Sequence, residues 1–259
     1  MAASAEPLLQ ARRLSIAAGG RRLVHELSVE VRGGEFIAIL GRNGCGKSLT
    51  LHALAGLSTP EAGEVLLCGT PLVQMRRREV ARRLALLPQD REDALAQTTL
   101  ESALIGRHPH LAWWQGEGAG DRALALGALQ QFGMEHCAHR QLSTLSGGEQ
   151  RRAAMAALLA QQPRIYLLDE PTNHLDPHHQ IEMLQRFRAL ASQGAAVIAT
   201  LHDPTLAERY ADRALLLHGD GRWQIGSVAD TLTAAALSAL YLTPVNALAM
   251  GGRRAFVIG

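Results

Sequence analysis

The most constraining feature of this sequence is a run of apolar residues followed at once by a glycine-rich loop. Phe36–Leu40 is apolar throughout, as expected of a strand buried on both faces of a sheet. Residues 41–48 read GRNGCGKS, and Leu51, Leu54 and Ala55 then recur at helical spacing. A strand, a glycine loop and a helix in this order predict a site where backbone N–H groups converge on phosphate oxygens at a helix N-terminus.

A second apolar run ends in two carboxylates. Ile165–Leu168 is followed directly by Asp169 and Glu170. Adjacent side chains on a strand point to opposite faces, so these two can share a site only where the strand ends. Asp169 would then hold Mg²⁺, and Glu170 would orient or deprotonate an attacking water. Combined with the glycine loop, this pattern predicts phosphoryl-transfer chemistry.

A serine and two glycines form a further candidate anion site. Ser146, Gly147 and Gly148 precede an Ala- and Leu-rich helical stretch. A hydroxyl, free backbone amides and the helix dipole together suit an anion. One chain needs only one phosphate cradle, so by itself this segment would be interpreted as a helix N-cap with a flexible turn.

The rest of the chain indicates an α/β fold. An alternating strand pattern at 23–31 and a buried run at 195–201 lie among helical patterns. Such alternation predicts a mostly parallel sheet covered on both faces, with ligands at the carboxyl ends of its strands. Residues 90–160 predict an inserted helical lobe. The arginine-rich segment 76–84 is interpreted as a helix with a solvated face, with Val80, Ala81 and Leu84 on its other side.

Bulk composition excludes several classes of protein. The chain is 47% apolar and 19% charged, with a formal net charge of +2 and 4% aromatic residues, which argues against a nucleic-acid partner. Three widely spaced cysteines favour reduced thiols in a cytosolic setting. No apolar run approaches the roughly 18 residues that span a bilayer, so a membrane role would require docking onto a separate subunit.

The motifs at 41–48, 145–150 and 168–172, with the later His202, resemble the Walker A, signature, Walker B and switch motifs of ABC ATPases. Their order is that of the family, over nearly the whole chain. The resemblance implies an α/β fold with a P-loop NTPase core containing a mostly parallel sheet, an antiparallel β subdomain and an inserted α-helical lobe. It implies a single ABC ATPase domain at 1–259, with its core at about 1–89 and 161–226, its lobe at about 90–160 and a short C-terminal extension at about 227–259.

The same resemblance implies an ATP- and Mg²⁺-dependent hydrolase that works as a head-to-tail pair of identical chains. Each ATP would lie between the 41–48 loop of one chain and the 146–150 segment of the other. The implied catalytic residues are Glu170, His202 and Gln89, the last in the Q-loop, and Asp176 would be the D-loop residue that touches the opposite site. The implied nucleotide-binding residues are Gly41, Arg42, Asn43, Gly44, Cys45, Gly46, Lys47, Ser48 and Leu49; the signature residues are Ser146, Gly147, Gly148, Glu149 and Gln150; the Mg²⁺ ligands are Ser48, Gln89 and Asp169.

Two positions depart from the family pattern. Leu49 replaces the usual threonine and removes one hydroxyl from the α-phosphate. Ala18, with Ile16 just before it, stands where an adenine-stacking aromatic is expected. Weak adenine recognition is one expectation; the alternative is a guanidinium stacked on the base. The arginines considered for that role are Arg12, Arg13 and Arg22.

The segment GRHPH at 106–110 is similar to the GRxPH pattern in ATPases of importers for iron–siderophores, haem and cobalamin. This resemblance implies a dimeric polytopic permease as partner, an indirect link to a periplasmic or extracellular substrate-binding protein, and a peripheral position on the cytoplasmic face of the cell membrane. The alternative is a non-transport ABC ATPase, such as an iron–sulfur-cluster assembly subunit. For Trp113 and Trp114, local packing and contact with a partner both remain open.

Overall fold

The computed structural model describes residues 6–89 and 97–259, so the predicted start of the lobe at residue 90 lies outside the described residues. The strands in these ranges are β1 (Leu9–Ala18), β2 (Arg21–Val31), β3 (Phe36–Leu40), β4 (Ala62–Leu67), β5 (Thr70–Pro71), β6 (Leu84–Leu87), β7 (Ile165–Leu168), β8 (Ala196–Thr200), β9 (Arg213–Leu217), β10 (Trp223–Ser227), β11 (Val245–Met250) and β12 (Arg253–Ile258). The α-helices are α1 (Lys47–Leu54), α2 (Arg77–Ala81), α3 (Thr99–Ile105), α4 (Ala119–Gln131), α5 (Gly147–Ala160), α6 (Pro177–Ser192), α7 (Pro204–Tyr210), α8 (Val228–Thr231) and α9 (Ala234–Tyr241).

The central sheet has the strand order β10-β9-β3-β8-β7-β6. Strands β9, β3, β8, β7 and β6 run parallel, and β10 is antiparallel at one edge. Every residue of β3 is buried. Phe36, Ala38 and Leu40 pack into one hydrophobic cluster, while Ile37 and Ile39 pack into a second cluster. The prediction of a mostly parallel sheet covered on both faces is therefore confirmed.

A second, antiparallel sheet has the order β2-β1-β4-β5, which confirms the predicted antiparallel β subdomain. The register pairs Leu14 with Leu27 and Ile16 with Val24, so apolar side chains lie together on one face. The turn that joins β1 to β2 is Gly19-Gly20, and both glycines have positive φ. This tight turn directly follows Ala18 and places it at the end of the ribbon.

Helices α3, α4 and α5 lie between β6 and β7 in the chain and pack on one another. Gly106 permits this packing, because a Cβ on it would lie 2.1 Å from the backbone oxygen of Ala157 in α5. The predicted helix over 76–84 is wrong at its C-terminal end. The observed helix stops at Ala81, and Leu84 begins strand β6, which pairs with β7. Leu84 is buried because it lies in the sheet and not on a helix face.

The C-terminal part packs against helix α7. Arg254 of β12 forms an ion pair with Glu208 of α7 at 2.9 Å, and the Phe256 amide donates to Thr205 Oγ1 at 3.1 Å.

Among the described residues, no helix has the length and apolar character needed to cross a bilayer. Trp113 and Trp114 are 89% and 74% exposed and contact each other edge to face, so neither belongs to the core.

Candidate active site

Four neighbouring strands of the central sheet bring the predicted motifs to one edge. The strands β3, β8, β7 and β6 are adjacent in that order and parallel. The loop at 41–46 follows β3, His202 follows β8, Asp169 and Glu170 follow β7, and Gln89 follows β6. The carboxyl ends of parallel strands meet at one edge of a sheet, which is where ligands bind in folds of this type.

The glycine loop leads directly into helix α1. Gly46 is the N-cap of this helix and has a φ of 101°, a conformation that favours glycine. Lys47 begins the helix and is 5% exposed, and its Nζ donates to the backbone oxygens of Gly41 at 2.9 Å and Arg42 at 3.3 Å. An ammonium group held inside a loop of backbone amides is suited to phosphate oxygens. The Cys45 thiol in the same loop is buried, and this burial raises its pKa.

Glu170 lies just beyond the end of β7 with a φ of 45°. Its amide donates to Thr200 Oγ1 at 2.6 Å. Its carboxylate is 2.8 Å from His202 Nε2 through Oε1 and accepts from Asn173 Nδ2 through Oε2. A non-glycine residue in this backbone region persists only when its surroundings hold it, and functional sites concentrate such residues. The carboxylate is therefore held at a defined position beside a histidine.

Asp169 presents a buried carboxylate toward the same edge of the sheet. Its Oδ1 accepts from Thr200 Oγ1 at 2.7 Å, and the residue is 1% exposed. Its Oδ2 is buried and has no hydrogen-bond partner among the described residues. A buried carboxylate oxygen without a partner is costly unless a cation or a water satisfies it. A hard divalent cation with oxygen ligands fits this position.

A cavity of about 650 Å³ lies over this edge, within the range of about 300–1,000 Å³ that is typical of small-molecule sites. Glu170, His202 and Gln89 all line it, which brings the three predicted catalytic residues together. Gly41, Arg42 and Cys45 of the predicted loop set do not line it; Gly41 and Cys45 are buried, whereas Arg42 is exposed. The lining residues are Ala18, Leu23, Asn43, Gly44, Gly46, Lys47, Ser48, Leu49, Gln89, Glu170, Asn173 and His202.

One end of the cavity is formed by Ala18 and Leu23. Ile16 is 5% exposed and packs in the core, so its side chain does not reach this end. The three arginines considered for stacking on a base are held in surface ion pairs. Their partners are Glu64 for Arg12 at 3.6 Å, Glu26 for Arg13, and Glu61 for Arg22 at 2.9 Å.

The predicted signature residues lie outside this cavity. Ser146 and Gly147 are exposed. Ser146 is the N-cap of α5: its Oγ accepts from the Glu149 amide at 3.3 Å, and Glu149 Oε2 accepts from the Ser146 amide at 2.8 Å. The hydrogen bond from the Ser146 amide holds the pKa of Glu149 below its usual value. Gln150 donates to the backbone oxygen of Leu145 at 3.2 Å. Within one chain, then, this segment does not meet the glycine loop.

Asp176, the predicted D-loop residue, also lies outside the cavity. It is the N-cap of α6, and its carboxylate accepts from the His179 amide at 2.9 Å and contacts His179 Nδ1 at 2.8 Å. The backbone hydrogen bond is the main cause of its lowered pKa. His179 in turn contacts Arg152 of α5. These contacts connect the start of α6 to the helix that begins at the signature segment.

Sequence reasoning overlooked two groups in the site. Thr200 is fully buried and bridges the Glu170 amide and the Asp169 carboxylate with its single hydroxyl. Arg151 is buried beneath the same strand ends. A sequence signal for Thr200 exists: it is a polar residue in an apolar run, two positions before His202, which could have indicated a buried hydroxyl near the site. No local pattern distinguishes Arg151 from its neighbour Arg152.

The GRHPH segment is partly buried: Gly106 and Arg107 are buried, whereas His108 is exposed. Arg107 is 8% exposed, pairs with Asp121 at 3.0 Å and donates to the backbone oxygen of Ala160 at 2.7 Å. Pro109 accepts through its backbone oxygen from Nε of Arg78 at 2.9 Å and of Arg82 at 2.7 Å. These contacts tie the segment to α2 and to the end of α5. The Arg107 side chain is therefore a buried structural group.

Comparison with known proteins agrees with this geometry. A family model described as ABC transporter matches residues 24–173, more than half of the chain. The chain is similar to a hemin import ATP-binding protein of Myxococcus xanthus, with 40% identity over 232 residues that cover 87% of this chain and 86% of the relative.

Two solved structures also resemble the chain. A transporter described as of the metal-chelate ABC type, in an inward-facing conformation, has a TM-score of 0.85 and 27% identity, with 98% of each chain covered. A dimeric bacterial ABC transporter cassette has a TM-score of 0.75 and 26% identity, covering 85% of this chain and 98% of that one.

The phosphate loop, the paired carboxylates and the P-loop NTPase fold define a nucleotide-binding ATP hydrolase. The chain belongs to the ABC transporter family. The resemblance to ABC ATPases that the motifs indicated is therefore confirmed.

Proposed function

We propose that this chain is the ATP-hydrolysing subunit of an ABC importer that takes up a metal chelate such as haem, an iron–siderophore or cobalamin. The observation that carries the proposal is the match, over 87% of the chain, to a protein named for hemin import. The similarity to a metal-chelate type transporter over 98% of the chain supports the same class of cargo. We further propose that core, lobe and C-terminal extension act as one domain.

The hydrolysis step is assigned to residues that line or border the cavity. Glu170 accepts a proton from the attacking water, and His202, 2.8 Å from its Oε1, orients that carboxylate and meets the γ-phosphate. Lys47 and the amides of the 41–48 loop bind the phosphates. Ser48, Gln89 and the buried Oδ2 of Asp169 would hold Mg²⁺. When bound, this ion neutralises charge that develops on the phosphate oxygens.

The active unit is proposed to be a head-to-tail pair of chains. Ser146 and Gly147 are exposed and lie away from their own chain's cavity. A second copy could present the same segment to the open side of that cavity. The similarity to a dimeric ABC cassette supports this arrangement. Asp176 would lie at the contact between the two chains.

The partners follow from the importer assignment. The dimer would dock on a dimeric polytopic permease at the cytoplasmic face of the cell membrane, and a periplasmic or extracellular binding protein would deliver cargo from the other side. No nucleic acid takes part in this scheme.

The proposal is tested by copurification followed by reconstitution. The tagged chain is purified from its native host without prior selection of a partner, and a polytopic permease is the expected companion. The complex is then placed in proteoliposomes, and uptake of haem, a ferric siderophore and cobalamin is measured with and without ATP. ATP-dependent uptake of one of these, lost in Glu170→Gln, supports the proposal. Copurification of a soluble scaffold protein without any permease would favour the cluster-assembly alternative instead.

A further inference from the structure

One buried guanidinium joins the ends of two neighbouring strands. Arg151 Nη1 donates to the backbone oxygens of Pro88 at 2.6 Å and Gln89 at 3.1 Å. Its Nη2 donates to the backbone oxygens of Asp169 and of Glu170, the latter at 2.9 Å. The residue is 8% exposed. Four carbonyl groups from two segments of the active site thus share one side chain.

These carbonyls lie where the sheet hydrogen bonds end. Strands β6 and β7 pair as far as Leu87 and Leu168, and the Asp169 amide still donates to the Leu87 oxygen at 2.9 Å. Beyond this point the two segments no longer pair with each other. The planar guanidinium of Arg151 donates hydrogen bonds to the backbone oxygens of both segments instead. A lysine carries its charge at one point and cannot span the same carbonyls with the same geometry.

Arg151 and Thr200 hold the two sides of Glu170. The Glu170 amide donates to Thr200 Oγ1 at 2.6 Å, while its carbonyl accepts from Arg151 at 2.9 Å. Between these contacts the residue has a φ of 45°. This sparsely populated conformation is maintained by contacts on both sides, so loss of either contact allows the carboxylate to move away from His202.

Arg151 lies on the helix that the signature segment begins. Helix α5 has Ser146 as its N-cap, and Arg151 follows about 7.5 Å further along the axis. A contact at the exposed N-terminus of this helix and the hydrogen bonds at Glu170 and Gln89 are therefore carried by the same rigid element. Arg152, the next residue, contacts His179 instead.

We propose that Arg151 is a positioning residue that couples two sites. When the signature segment (residues 146–150) contacts the nucleotide bound to the partner chain, Arg151 adjusts the positions of Glu170 and Gln89 in its own chain. This inference rests on the proposed head-to-tail dimer. The Arg151 hydrogen bonds at the ends of β6 and β7 would thus link the two nucleotide sites of the dimer. The glycine loop, the carboxylates and His202 do not supply such a link.

The test compares Arg151→Lys with Arg107→Lys in the full chain. Arg107 is a matched control, because it is equally buried and also donates to a backbone oxygen, that of Ala160, but lies away from the cavity. Arg151→Lys is expected to lower kcat by about tenfold or more while the Kd for Mg²⁺-ATP changes by less than about threefold. Arg107→Lys is expected to lower the unfolding midpoint at least as much and to leave kcat near that of the parent chain. Arg151→Gln provides the same comparison if the lysine variant does not fold.

A double-mutant cycle tests the link to the partner's nucleotide. Ser146→Ala is combined with Arg151→Lys, and the loss in kcat from Ser146→Ala is expected to be mostly absent in the Arg151→Lys background. Additive losses, a kcat for Arg151→Lys within about twofold of the parent, or equal losses in kcat and stability in both arginine variants would each overturn the inference. A parent chain that does not hydrolyse ATP would instead overturn the proposed function.

Discussion

His202 Nε2 lies 2.8 Å from Glu170 Oε1, although the two residues follow different strands of the central sheet. The strands β7 and β8 are neighbours, so the short distance follows from the parallel register of the sheet. Asn173 holds the other carboxylate oxygen. The protein's own side chains orient the carboxylate, which lowers the reorganisation needed during the reaction.

Removing the histidine should therefore affect the chemical step. His202→Ala is expected to lower kcat by about a hundredfold or more, because the carboxylate and the γ-phosphate lose a positioned partner. Nucleotide affinity should change little, since Lys47 and the loop amides remain. Steady-state ATPase assays and nucleotide titration measure the two quantities. His178→Ala is the control, because this side chain is 77% exposed on α6. A kcat for His202→Ala within about threefold of the parent would contradict the assigned role.

Hydrolysis should depend on association of two chains, because the signature segment does not line its own chain's cavity. The ATPase rate is expected to rise faster than linearly with protein concentration in dilute solution. Contacts of this kind to a transferring phosphoryl group are worth about 10³–10⁵ in rate. The rate is measured over the range in which light scattering shows monomers becoming dimers. A strictly linear rate across that range would contradict the cross-site arrangement.

Adenine recognition should be weak at the Ala18 end of the cavity, where none of the described residues supplies an aromatic ring. Ala18→Tyr is expected to tighten ATP binding by about tenfold, the lower end of what base stacking provides. The parent should discriminate only mildly between ATP and GTP. Ala17→Tyr is a matched control, because Ala17 is the neighbouring strand residue and does not line the cavity. Strong ATP preference in the parent that is unchanged by Ala18→Tyr would contradict this expectation and favour a stacked arginine.

Acid should weaken the packing of the GRHPH segment. The hydrogen bond from Arg107 is the main cause of the lowered pKa of Asp121. A carboxylate with a lowered folded-state pKa contributes stability above its unfolded value of about 3.9, and this contribution is lost as the pH falls through the folded value. Asp121→Asn should therefore destabilise the chain at pH 7 and lose its effect in strong acid. Urea unfolding of both proteins across this range measures the difference; a constant difference would contradict the assignment.

The sequence predicted those parts of the site that depend on local pattern. The order of Phe36–Leu40, the glycine loop and α1, and the position of Asp169 just beyond β7, follow from burial and strand geometry that neighbouring residues determine. Strand β6 was not predicted, because Val80, Ala81 and Leu84 also match the spacing of one helix face. The burial of Arg107 could not be predicted from its neighbours, because its hydrogen-bond acceptor at Ala160 lies 53 residues away in the sequence. Contacts between residues so far apart in sequence arise from tertiary packing, which no local sequence pattern specifies.

Single-turnover hydrolysis by Glu170→Gln tests most directly whether Glu170 is the catalytic base. The amide cannot accept the proton of the attacking water, so the rate is expected to fall by about 10²–10⁴ while ATP still binds and holds two chains together. Lys47→Ala serves as the contrast, because it should lose nucleotide binding instead. ATP hydrolysis by Glu170→Gln near the parent rate, or a variant that stays monomeric with saturating ATP and Mg²⁺, would contradict the assignment of Glu170 as the catalytic base of a nucleotide-clamped dimer.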